Sequence, residues 1–272
     1  MTLEDHVGDV LRKARLMKRL DLETVAAAAG VSAASYSAIE ETGEAPTGLA
    51  VEVLEPLLEL GAKKLGNLMR GWLPSPVDLS QWRHLRQITT QEGMAVHCYL
   101  VWDEASREAA LFDTGWTLDP VLQIVADEQL DLKHLFITHS HRDHVAALVT
   151  FRERFPKAAI HTDTPGAPLA HKNRRTDRIA LGGLRITNRD TPGHAEDGVT
   201  YLIGNWPDDA PHVAIVGDAI FAGSMGGAKE HGALAKAKVR EQILSLPDAT
   251  LLCPGHGPLT TVGEEKRHNP FF

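Results

Sequence analysis

Residues 137–144 read ITHSHRDH, placing His139, His141, Asp143 and His144 within six positions. Imidazoles and carboxylates crowded in this way suit metal chemistry, because a cation needs several deprotonated nitrogen or oxygen donors converging on one point. Three more donors follow apolar runs in the same manner: His194 in TPGH after LRITNRD, Asp218 after HVAIVG, and His256 in PGHG after TLLC. In an extended loop residues i and i+2 point the same way, so His139 and His141 can share one ion. Asp143 and His144 face elsewhere, which calls for a second ion. They open a helical stretch whose N-terminal dipole favours an ionised Asp143. Five imidazoles and two carboxylates are the donors that two nearby divalent ions need. Such a pair can hold a hydroxide at neutral pH and polarise a carbonyl or phosphoryl oxygen. No protein nucleophile is then required. Ser224 in FAGSMGG lacks the G-x-S-x-G spacing, and Cys253 reads as a buried strand-end residue.

Donors at strand ends need a scaffold of strands, and the chain supplies one from about residue 85. Strand patterns MAVHCYLVW, EAALFDTG, HLFIT, LRITN, VTYLIG, HVAIVGD and TLLCP alternate there with helical stretches DPVLQIVADEQ, HVAALVTFRERF and ALAKAKVREQILSL. Upstream, VGDVLRKARLMKRL, LETVAAAAG, SAASYSAIEE and GLAVEVLEPLLELG carry the three- and four-residue apolar spacing of helices. The segment GWLPSPVDLS, with two prolines and a glycine, separates the two textures. The expected organisation is a helical domain over 1–70, a linker over 71–84, and a mixed α and β domain over 85–272. At 272 residues and 43% hydrophobic, the chain can bury a sizeable core. The formal net charge of −8 argues against broad attraction to nucleic acid or anionic lipid. No stretch approaches the roughly 18–20 apolar residues of a membrane span. The start has no positively charged segment followed by an apolar run, and two cysteines fit a reducing compartment, so a cytoplasmic protein is expected.

The ordered combination THSHRDH, TPGH, GDAIF and PGHGP resembles the metallo-β-lactamase fold hydrolases over roughly residues 85–272. That resemblance implies an α+β architecture: an αββα sandwich with the ligands along one edge, preceded here by a small all-α domain. It assigns His139, His141 and His194 to a first metal and Asp143, His144 and His256 to a second. Asp218 bridges the two beside an attacking hydroxide, which makes Asp143 and Asp218 the candidate catalytic carboxylates. Two divalent ions are implied; zinc is usual in the family, and iron and manganese also occur. LFDTGW, GDAIFAGSMGG and PGHGPLTTVGEEKRHNPFF look most like the glyoxalase II-like branch, so a small-molecule ester, thioester or lactone is the expected substrate. After the bridging aspartate the branch pattern of arginine, threonine and aspartate is replaced here by Gly226, Gly227, Ala228 and Lys229. One alternative is a mononuclear iron enzyme similar to the persulfide dioxygenases, which share the fold with fewer ligands.

Residues 5–60 resemble the helix-turn-helix domain of the phage-repressor-like (XRE) family, with Gly30 in the turn, Val31, the capping Ser32 and a buried Ile39 at matching places. Positions that are often glutamine or arginine in that family carry Leu22, Ala33 and Ala38. No lysine or arginine occurs between Arg19 and Lys63, whereas acidic residues are frequent. Phosphate contacts dominate DNA affinity, so this surface argues against nucleic acid. A packing or dimerisation role, with a possible homodimer, is expected instead. The competing expectation is a DNA-binding regulator whose metallo domain serves as a sensor.

Overall fold

The computed structural model describes residues 2–44, 49, 51–175 and 177–272. Five helices come first: α1 (Val7–Met17), α2 (Leu22–Ala28), α3 (Ala33–Thr42), α4 (Val51–Leu58) and α5 (Ala62–Met69). Residues 48 and 50 of the expected fourth helix lie outside the described residues. Helix α1 starts at His6, whose ring accepts from the Asp9 amide while the Asp9 side chain accepts from the His6 amide, so two of the unpaired N-terminal donors are satisfied. Val7, Val10, Leu11 and Ala14 recur at helical spacing and form its buried face. Gly30, at φ +71°, turns the chain from α2 into α3, where the Ser32 hydroxyl caps the Ser35 amide.

Two sheets follow. The first runs β1 (Leu85–Glu92), β2 (Met94–Trp102), β3 (Glu108–Phe112), β4 (Asp131–Phe136) and β5 (Ala159–His161) in that spatial order. The second has β6 (Arg178–Leu181), β7 (Leu184–Asp190), β8 (Val199–Gly204), β9 (Val213–Gly217), β10 (Leu251–Pro254) and β11 (Thr260–Thr261), ordered from β11 through β10, β9, β8 and β7 to β6. Side chains alternate across a strand, and this divides the core. Tyr99 and Val101 point between the sheets, meeting Tyr201, Ile203, Val213 and Ile215. Cys98 and Leu100 point outward to helices α6 (Asp119–Asp127) and α8 (Leu148–Arg154), with Val121 and Phe151 packed in that layer. On the other side Ala214, Val216 and Leu252 pack against Val239, Ile243 and Val262, in the region of α9 (Gly232–Lys238) and α10 (Val262–His268). The result is the expected αββα sandwich preceded by helices. None of the helices among the described residues is long and apolar enough to cross a membrane.

One feature departs from the sequence reading. The helix expected over residues 144–155 is split into a single turn, α7 (Arg142–Val145), and α8, because the Ala147 amide bonds to Thr114 Oγ1 and Gly115 O. One turn carries little dipole, so Asp143 owes its ionised state to neighbouring imidazoles. The N-terminal helices also share a core with the sandwich: Leu11, Leu58 and Leu65 cluster with Met225, Ala235 and Phe271. The connecting stretch is pinned by Trp82, which is buried between the sheets and donates its indole N–H to Pro211 O at 2.8 Å.

Candidate metal centre

Strand direction decides where the donors meet. Strand β9 is parallel to β10 and antiparallel to β8, which is antiparallel to β7, so β7, β9 and β10 all end at one edge. His194, Asp218 and His256 follow those ends. His139 follows β4, which is parallel to β3, the strand that leads into Asp113. Space at this edge is short. A Cβ on Gly255 would stand 2.4 Å from Asp218 Oδ1, and one on Gly226 would stand 2.1 Å from Asp218 O, so at these two sites glycine is required for room.

All seven expected donors gather here. His139, His141 and His194 form one group and Asp143, His144 and His256 another, while Asp218 joins His139 and His144 in a third. His141 Nδ1 lies 3.1 Å from His139 Nε2 and 2.9 Å from His194 Nε2. The Asp218 carboxylate lies 3.4 Å from His194 Nε2, 3.9 Å from His139 Nε2, 3.4 Å from His144 Nε2 and 3.5 Å from His256 Nε2. It therefore stands between the two groups. Asp143 Oδ2 is 3.2 Å from His256 Nε2 and 3.6 Å from His144 Nε2.

The ring nitrogens facing away from the centre are held in turn. His144 Nδ1 bonds to Asp113 Oδ2 at 2.8 Å, His194 Nδ1 to Gly227 O at 3.0 Å and His256 Nδ1 to Ala95 O at 2.7 Å, and each such bond leaves Nε2 free to take a cation. Burial lowers the pKa of His139 and His194 and keeps them neutral. Burial opposes charge on Asp218, yet the charge on His144 outweighs it and holds the carboxyl well below its usual range. On His144 burial is likewise outweighed, by Asp113 and Asp218, and the pKa rises well above the ordinary value. His144 Nε2 and Asp218 Oδ1 are buried with no hydrogen-bond partner in the structure. Buried polar atoms of opposite character, 3.4 Å apart and surrounded by further imidazoles, fit a metal centre. The donor set is that of a bimetal site, with zinc or iron as suitable ions.

Asp113 was not among the sequence-expected donors, although it also sits just past a strand, in LFDTG. Its Oδ1 accepts from the Thr138 amide at 2.7 Å and its Oδ2 from the Thr138 hydroxyl, so it ties the first ligand loop to His144. The N-terminus contributes a second unexpected group. Asp5 accepts from the buried Ser224 hydroxyl at 2.5 Å and pairs with Lys13, whose ammonium also donates to Met225 O at 3.0 Å. This braces the loop that carries Gly227 O, the partner of His194. Ser224 is 1% exposed, and its hydroxyl is committed to Asp5. Cys253 is buried in β10, which raises its thiol pKa well above the usual value.

The sequence profile of the Metallo-beta-lactamase superfamily matches residues 92–256, more than half of the chain. The chain belongs to that superfamily, and it is a metal-dependent enzyme within it. Among curated relatives it is similar to hydroxyacylglutathione hydrolase GloC of Haemophilus influenzae, 27% identical over an alignment of 202 positions that covers 65% of this chain and 92% of GloC. Among solved structures it is similar to ETHE1 from Myxococcus xanthus, at 34% identity and a TM-score of 0.60, over 68% of this chain and 83% of that one. It is also similar to TTHA1623 in a di-iron-bound form, at 27% identity and a TM-score of 0.54, over 69% of this chain and 100% of that one.

Proposed function

We propose that the protein is a two-metal hydrolase that opens a small-molecule ester, thioester or lactone. The observation that carries this reading is the Asp218 carboxylate standing between two complete donor groups, one of three histidines and one of Asp143, His144 and His256. Metal ions bound there would supply a nucleophilic hydroxide at neutral pH and polarise the scissile carbonyl. Around them, Asp113, Gly227 and Ala95 fix the imidazoles through Nδ1. Asp143 and Asp218, both held ionised, are the two carboxylates that would take up the ions and stand beside the reacting water. The likeness to the protein named hydroxyacylglutathione hydrolase supports a thioester. The 34% identity to ETHE1 exceeds the 27% to GloC, so likeness alone does not select the glyoxalase II-like branch. With both cysteines free and buried, a cytoplasmic setting is the location proposed.

A second reading rests on His139, His194 and Asp218, two imidazoles and one carboxylate within 4 Å contacts, which is the donor set of non-haem iron oxygenases. Metal analysis and assays on one preparation separate the two. The hydrolase reading expects two ions per chain, turnover of thioesters or lactones, and loss of turnover in His256→Ala. One iron per chain, with oxygen uptake on a persulfide that survives His256→Ala, would establish the oxygenase instead.

For the helices we propose a structural role in a helix-turn-helix-like arrangement. On α1, Lys13 pairs with Asp5 and Arg15 with Glu40, and Lys18 at its C-terminal end pairs with Glu59, while Ala34, Ser35, Ala38 and Glu41 face outward on α3. Gel shifts against DNA flanking the gene are expected to show no specific complex; nanomolar binding would restore the regulator.

A further inference from the structure

The N-terminal segment passes directly beside the metal centre. A Cβ built on Gly257, the residue after His256, would stand 3.0 Å from both the Cβ and the amide nitrogen of Glu4. There Leu3 and Glu4 close one side of a cavity of about 600 Å³ whose other walls include Leu79, Ala95, His97 and Leu259. One hydrogen bond joins a wall of this cavity to the centre, Ala95 O accepting from His256, and a second, between His97 Nε2 and Gly257 O at 2.9 Å, ties another lining side chain to the residue after His256. Burial lowers the His97 pKa and leaves it uncharged. Glu4 then supplies the one formal charge among the described residues that line the cavity. Lys13 is engaged by Asp5 and Met225 O. Burial raises the Glu4 carboxyl pKa above its ordinary value.

We propose that this cavity receives the non-reacting part of the substrate, and that Glu4 selects an apolar body ending in a cationic amine over one ending in an anion. The inference rests on the hydrolase reading for its chemistry, but not for its binding preference. An anionic thiol carrier such as glutathione would meet a carboxylate where a cation is needed. The segment that makes this choice precedes residue 92, where the superfamily match begins, so it belongs to the part of the chain outside that match.

Calorimetry on the metal-loaded, full-length protein tests this with two probes of equal length, hexylammonium and hexanol. At pH 7 the ammonium has no lone pair to offer a metal. The wild type should bind hexylammonium about fivefold tighter than hexanol, as expected for a partly exposed charge pair, and Glu4→Gln should bind the two equally. Leu259→Trp, which fills the cavity without touching a charge, should weaken both. No binding of either probe, equal binding by the wild type, or a preference that survives Glu4→Gln would each overturn the proposal. Turnover of thioesters with cationic and anionic ends, on the same proteins, reports on the hydrolase reading separately. Absence of all turnover alongside the binding preference would remove the reaction and leave the site.

Discussion

Asp113 shows how a residue that touches no substrate can set a metal centre. Its carboxylate receives His144 Nδ1 and both Thr138 donors, and it does so from φ +59°, a left-handed conformation that aspartate and asparagine tolerate better than most residues. Asp113→Asn keeps the shape but cannot accept through both side-chain atoms. Metal affinity should fall by roughly 10- to 100-fold in a competitive chelator titration, with the fold retained by circular dichroism. Unchanged affinity would reduce Asp113 to a packing residue.

Among the elements, two connections bear on the loop after β9. On one side, Lys13 of α1 neutralises Asp5, which is 7% exposed and bonded to Ser224. Lys13→Met leaves that carboxylate buried and unpaired, at a cost of about 2–3 kcal/mol, and adding Asp5→Asn should recover most of the loss in urea unfolding. On the other side, Glu265 of α10 accepts from Gly223 N, Thr260 Oγ1 and Asn269 Nδ2. Complete burial raises its pKa from 4.5 to about 7. A carboxyl with a raised folded-state pKa binds its proton more tightly in the folded chain. Its contribution is therefore fully present below pH 4.5 and lost as pH rises through 7. In Glu265→Gln the amide can donate to Thr260, whose hydroxyl turns to accept, so the network survives without a titrating group. Relative to this variant, the metal-free wild type should lose roughly 3 kcal/mol between pH 4.5 and 8. A pH-independent difference between the two would show that Glu265 does not titrate in that range.

Across the whole molecule, the helices and the sandwich are one packed body. Phe271, near the C-terminus, is 2% exposed in the same cluster as Leu11 and Leu58, and Lys64 donates to Phe272 O at 2.9 Å. Phe271→Ala should cost about 3–5 kcal/mol. Fluorescence and far-ultraviolet dichroism should report a single unfolding transition in the wild type, whereas two separated transitions would make the helices an independent unit. Metal removal should lower the stability of the whole chain. At an ion concentration a thousand times the Kd, each ion contributes about 4 kcal/mol by mass action, seen as a Tm that rises with metal concentration.

Much of the centre was legible from the residues alone, because metal donors are a short list of side chains and strand ends carry a local signature. HLFITHSHRDH announces both strand and ligands, and the same pattern in TPGH, GD and PGHG led to His194, Asp218 and His256. Helix and strand periods likewise gave the order of elements, while the αββα layering came from the resemblance to the metallo-β-lactamase fold hydrolases. The break between α7 and α8 was not legible, because it depends on where the Ala147 amide finds its acceptors, on a loop some thirty residues upstream. Asp113, Glu265 and the Asp5–Lys13 brace were hidden for the same reason. Their side chains differ in no visible way from other charged residues, and long-range packing, over 219 positions for Asp5 and Ser224 and 42 for Glu265 and Gly223, supplies the distinguishing partners. Sequence therefore determined which chemistry the chain can hold, through residue types and their local period. Tertiary structure decided how the donors are oriented and which segment closes the pocket, because both depend on contacts between residues far apart in the chain.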